Sequence, residues 1–169
     1  SSDIGKCDVP KPDPEMVVEL MSGVKDALHE GKGVMKAAQN GRRIGIDTGI
    51  VHTDNANPAV ISAYPDASRK ALQGILEGST PGTVLALGLE SCDPSVKEMN
   101  NLNSGPEDVL ESVRIMNEVG RKKGANGMPG LLPGINFLGG LPGQGPGSFQ
   151  MDIGLLEEIM KRDLLLRRI

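Results

Sequence analysis

The side chains able to do chemistry gather where apolar runs end. Glu90 follows directly on the run VLALGL, with Ser91 behind it. Asp54, Asn55 and Asn57 fall in HTDNANP after a β-branched stretch, and Asn136 stands in LLPGINFLGG ahead of Gly139 and Gly140. A carboxylate at the end of a buried strand can accept both hydrogens of a ribose diol, or it can close a salt bridge to Arg167 or Arg168. Asp54, Asn55 and Asn57 offer a dense set of donors and acceptors for a substrate, and the same residue types also serve as turn and cap residues. The glycine-rich GGLPGQGPG permits close approach of backbone to a ligand or acts as a flexible connection. It lacks both the Gly-Lys-Ser/Thr end of a Walker A loop and the GxGxxG spacing.

Other chemistries find less support. His29 and His52 have no Ser or Cys partner at a recognisable spacing, and neither GxSxG nor HExxH occurs, so no catalytic residue is assigned. Both read as structural, although His52 near Asp54 could orient a ligand. Cys7 and Cys92 form no CxxC or CxxxCxxC, so this chain alone supplies no zinc or iron–sulfur cage and no metal ligand is assigned. Cys92 reads as a small buried thiol. With 18 basic and 22 acidic side chains the net charge is −4, which leaves no global positive field for a phosphate backbone. The three aromatics, Tyr64, Phe137 and Phe149, are few for base stacking, and Arg121, Lys122 and Lys123 read as a solvated turn. Nucleic acid is therefore not an expected partner. No apolar run approaches a membrane span, the opening residues carry no basic or apolar leader, and cysteine usage favours a reducing cytoplasm.

The elements that must position these residues follow from punctuation and periodicity. The 169 residues include 23 Gly and 12 Pro, a density well above the ordinary. One domain over 1–169 is expected, with 1–13 an extended lead-in. A helix begins at Pro14 behind the cap Asp13 and stops at Gly31 and Gly33; a strand lies within 43–52. Asn57-Pro58 opens a helix that breaks at Pro65 and continues to Gly78. TVLALGLE is a strand buried on both faces, Asp93-Pro94 opens a short helix, and 106–119 is a long one. LLPGINFLGGL is a strand, the next helix turns Leu155, Leu156, Ile159 and Met160 inward, and Leu164 to Ile169 start a further strand. Such alternation of α and β predicts right-handed crossovers and a parallel sheet, open or rolled into a barrel. Four strands cannot close an eight-stranded barrel, so the chain reads as a section of one, with open sheet edges that would promote homo-oligomers.

Taken in order, HTDNANPAVI, LGLESCDP, NNLNSGPEDVLESVRIMNEVG and LLPGINFLGGLPG resemble radical S-adenosylmethionine proteins, a group of uncharacterised, mainly prokaryotic iron–sulfur oxidoreductases. The resemblance covers most of residues 1–169. It implies successive βα units of a partial (β/α)6 TIM-like barrel. In that family a CxxxCxxC loop holds a 4Fe-4S cluster, whose reduction cleaves S-adenosylmethionine to a radical that abstracts hydrogen from a substrate. This chain has no such loop, so the resemblance implies the later portion of a barrel, lacking the N-terminal half with the cluster ligands and inactive alone. By the same resemblance Glu90 and Ser91 meet the ribose or methionyl part of the cofactor, Asn136, Gly139 and Gly140 lie near its adenine, and Asn55 and Asn57 face cofactor or substrate. An accessory nucleoside-binding module or a scaffold associating through sheet edges is the alternative expectation.

Overall fold

A computed structural model describes residues 9–38 and 50–169. The elements run α1 (Pro14–Ala38), β1 (Asn55–Ala56), α2 (Pro58–Ala63), α3 (Pro65–Gly78), β2 (Thr83–Glu90), α4 (Pro94–Met99), α5 (Pro106–Gly120), β3 (Leu131–Phe137) and α6 (Pro146–Lys161). Among the described residues none of the helices is long and apolar enough to cross a membrane.

Proline opens each of the six named helices, and at three of them a side chain caps the first turn. The Asp13 carboxylate accepts from the amides of Glu15 and Met16, the Asn57 side chain from Ala59 N, and Asp93 from Ser95 N, each satisfying an amide with no partner inside the helix. Helix α1 runs through Gly31 and Gly33 to Ala38. Glycine inside a helix costs about 1 kcal/mol without forbidding it, and no proline follows to enforce the expected stop. The first turns of α1 cross α3 closely: a Cβ on Gly74 would come 2.9 Å from Val18 Cγ2, and one on Gly78 within 2.9 Å of Met21 O.

The three strands lie side by side in the order β1-β2-β3, all parallel. Side chains of β2 alternate. Leu85, Leu87 and Leu89 join Val109, Val113 and Met116 of α5 and Leu131 and Ile135 of β3 in one core, which reaches Leu155 and Ile159 of α6. Val84, Ala86, Gly88 and Glu90 share the opposite face with Leu132, Gly134 and Asn136 of β3, their register partners or next neighbours.

Several expectations are corrected. Among the described residues the sheet is a small open one of three strands with six helices, not a section of a TIM-like barrel; β1 is only two residues long and builds no barrel wall. The strand placed within 43–52 falls largely outside the described residues, and the strand that is seen is Asn55–Ala56. Asn55 is thus in the first strand rather than after it. Met160 is 77 % exposed, whereas Leu155 and Ile159 are buried as expected. The stretch from Leu164 onward forms no named strand but makes one parallel bridge, Gly134 to Arg168. Asn117 anchors it, donating to Leu165 O at 3.0 Å and accepting from Leu165 N at 2.7 Å.

Candidate functional site

Strand β2 is buried at Leu85, Leu87 and Leu89 and only partly buried at Val84 and Gly88, and at Glu90 the backbone turns left-handed with φ 67°. The β2–β3 register shifts between Gly88 and Glu90. A non-glycine residue in this conformation costs on the order of 1 kcal/mol, and it persists because Leu138 N donates to Glu90 O at 2.9 Å and Ser91 N to Leu89 O at 2.8 Å. The turn sends the Glu90 side chain back along its own strand. Its Oε1 lies only 2.9 Å from where a Cβ on Gly88 would stand, so the missing side chain at Gly88 is the seat of the carboxylate. Burial pushes the Glu90 carboxyl above its ordinary range.

This carboxylate lines a cavity of about 500 Å³ at the carboxyl edge of the sheet, where ligands bind in open parallel sheets. Asn55 and Asn57 come from β1 and the cap of α2, Asn136 from β3, and Asn101 and Asn103 from the loop between α4 and α5. The Asn57 Oδ1 is engaged by Ala59 N at 2.9 Å, leaving its amide hydrogens to donate. Asn101 is also left-handed, with φ 53°, so two of the three non-glycine residues with positive φ among those described line the same cavity. Among the described residues Glu90 is its one ionisable lining group. Such a wall accepts hydroxyl or ammonium hydrogens at the carboxylate and exchanges neutral hydrogen bonds at the amides; it offers no cation to a phosphate.

Of the residues singled out from sequence, Glu90, Asn136, Asn55 and Asn57 are brought together here. Asp54 is not: it lines a different cavity with His52 and Arg168. Ser91 is buried, its hydroxyl accepting from Asp93 N at 3.2 Å, and it is not part of the cavity wall. Gly139 and Gly140 are exposed beyond β3, where Gly140 N donates to Gln144 Oε1 at 2.7 Å in a turn. The alternative ion pair from Glu90 to Arg167 or Arg168 does not form; Arg168 sits instead beside Gly134. Sequence reasoning missed Asn101, Leu102, Asn103, Ser104 and Gly88. The available signal was NNLNSG itself, three asparagines in a segment too polar to pack, standing between two proline-started helices.

The cluster implied by the resemblance is tested by the available thiols. Cys7 lies outside the described residues. Cys92 is buried, and its thiol is pushed up to about 12 by burial first and then by Asp152, whose Oδ1 accepts from Cys92 N at 2.7 Å. A thiol held protonated against a carboxylate is the opposite of the thiolate that iron requires. No group of three His, Cys, Asp or Glu side chains suited to a metal occurs among the described residues. Among the described residues the donor set does not fit a 4Fe-4S cluster.

Fold and cavity together define an α/β protein with a polar recess at the carboxyl edge of a short parallel sheet. The chain is 40 % identical over 169 residues to an uncharacterised protein of Methanocaldococcus jannaschii, covering 100 % of this chain and 28 % of that relative. It is 37 % identical over 161 residues to an uncharacterised protein of Archaeoglobus fulgidus, covering 95 % of this chain and 27 % of that one. The chain therefore spans a little over a quarter of the length of the curated relatives it matches. No family model matches it. No solved structure matches it either, so the expected barrel finds no counterpart.

Proposed function

We propose that this chain carries the nucleoside-binding part of a larger S-adenosylmethionine-dependent iron–sulfur oxidoreductase, and that the cluster ligands belong to other segments of that protein. The observation that carries the reading is the Glu90 carboxylate seated over Gly88 amid the amides of Asn57, Asn101, Asn103 and Asn136. Glu90 accepts hydrogens from the ribose diol or the ligand's ammonium, and the asparagine amides orient its carboxylate and base. When bound, S-adenosylmethionine brings a sulfonium nucleoside whose positive charge suits a wall with one acid and no base. The four ordered motifs and the short span relative to longer relatives also support the reading. The second reading, a nucleoside-binding module without redox work, draws on the unsuitability of Cys92 as an iron ligand.

Thermal shift and calorimetric titration of the chain with S-adenosylmethionine, S-adenosylhomocysteine and ATP test the binding common to both readings. The expected result is stabilisation by the first two, loss of that stabilisation in Glu90→Ala, and no response to ATP. Equal shifts in parent and variant, or a preference for ATP, would remove the nucleoside assignment. A three-thiolate loop elsewhere in the longer protein separates the first reading from the second.

A further inference from the structure

The second cavity on the sheet, about 430 Å³, lies toward the amino ends of the strands and is lined by His52, Thr53, Asp54, Gly82, Val84 and Arg168. Its charged groups are set on fixed backbone. Asp54 is held by Ala86 N, which donates to its carbonyl at 2.9 Å, and Arg168 by Ile135 N, which donates to its carbonyl at 3.1 Å. The stem of Arg168 lies across β3 where glycine leaves room: a Cβ on Gly134 would be 3.1 Å from Arg168 Cγ and 3.1 Å from Val84 Cγ1. The buried Thr83 hydroxyl accepts from Thr53 N at 3.3 Å and lies 3.4 Å from His52 Nδ1, behind the lining residues His52 and Thr53.

The cavity is therefore lined by an anion and a cation, each on hydrogen-bonded backbone, that do not pair with each other. Among the described residues neither Asp54 nor Arg168 takes part in an ion pair, with each other or with any third group. The hydroxyl of Thr53 is buried without a partner, a loss of about 1–3 kcal/mol that a polar neighbour would relieve. A simple anion entering here would face Asp54, and a simple cation would face Arg168. A small molecule carrying both charges meets both partners.

We propose that this cavity is a binding site for a small zwitterion of the free α-amino acid type, with its carboxylate at the Arg168 guanidinium and its ammonium at the Asp54 carboxylate. Guanidinium–carboxylate pairing supplies a planar, two-point contact on one side. Gly82 and Val84 leave a floor that takes a small side chain. This assignment shares no residue with the Glu90 cavity and does not depend on the nucleoside reading.

The test is titration of the full 169-residue chain, by calorimetry and amide chemical shifts, with glycine, L-alanine and L-leucine as zwitterions and propionate and propylamine as single-charge controls. At least one zwitterion is expected to saturate, with the controls binding about tenfold or more weakly, near the value of one lost charge pair. Asp54→Asn and Arg168→Met are each expected to lower the zwitterion's affinity about tenfold or more. The methionine keeps an apolar stem over Gly134, and circular dichroism reports whether each variant is folded; Arg168→Lys, which keeps the charge but loses the two-point contact, binds more weakly than the parent and more tightly than Arg168→Met. Glu90→Gln leaves the titration unchanged. Failure of all three zwitterions to saturate at tens of millimolar, or propionate binding as tightly as the best of them, would overturn the proposal.

Discussion

The two faces of β2 are built to opposite rules. On one face Leu85, Leu87 and Leu89 are buried in the core with α5 and β3. On the other, Val84, Ala86 and Gly88 shrink toward the carboxyl edge until the Glu90 carboxylate occupies the space that a side chain at Gly88 would need. The packed face needs volume, because close packing penalises any void. The other face needs less volume at two points, because one cavity reaches the strand at Val84 and the other at Gly88. One strand thus anchors the fold and shapes a site, and the alternation of a pleated backbone keeps the two tasks apart.

The largest break in this comparison is expected from Leu87→Ala. Removing a fully buried leucine should cost about 3 kcal/mol, read as a lower midpoint in urea unfolding, while the fraction that remains folded keeps its ligand binding. A loss below about 1 kcal/mol would mean that this face is not the core. Gly88→Ala should do the reverse. The added methyl meets only the end of the flexible Glu90 side chain, at 2.9 Å from its Oε1, so stability should fall by less than about 1 kcal/mol. The displaced carboxylate should nonetheless weaken nucleoside binding about tenfold, measured by calorimetry. Unchanged affinity with an intact fold would detach Gly88 from the site.

The smallest effect is the pH dependence of Glu90. Burial raises its carboxyl in the folded chain, so the folded state binds this proton more readily than the unfolded state. The stabilising contribution is present at acid pH and is lost as pH rises through the folded value. Parent stability minus Glu90→Gln stability should therefore decline across that window, followed by thermal unfolding, and the affinity for a cationic nucleoside should climb over the same range as the carboxylate ionises. A difference that grows with pH would place Glu90 beside a cation instead, and a flat one would place it in water.

Much of the fold was legible because it rests on local rules. Asn57-Pro58, Asp93-Pro94 and Pro106 mark helix starts in the structure as they do in the sequence, the break expected at Pro65 separates α2 from α3, and the continuous run TVLALGLE is β2. The candidate site was legible in part. Glu90 and Asn136 stand at or near strand ends that an apolar pattern reveals, and Asn55 and Asn57 lie on or beside a neighbouring strand. Asn101 and Asn103 were not legible as site residues, because α4 is only six residues long and the loop after it returns over the carboxyl edge. No spacing along the chain encodes that return. Met160 was read inward from its periodicity, yet α6 turns it to the exterior beside buried Ile159. The neighbouring elements decide which stripe of an amphipathic helix is covered.

By itself, the chain's order of residues determined where helices and strands begin, that the strands run parallel, and that a carboxylate stands where the most apolar strand leaves the core. These follow from backbone sterics, capping and burial within a few neighbouring residues. Only the tertiary structure decided that the described strands number three in an open sheet and that the Glu90 side chain folds back over Gly88. It also separated Asp54 from Asn55 into a cavity shared with Arg168. Each of those depends on register and on contacts between residues far apart in the chain, which local pattern does not carry.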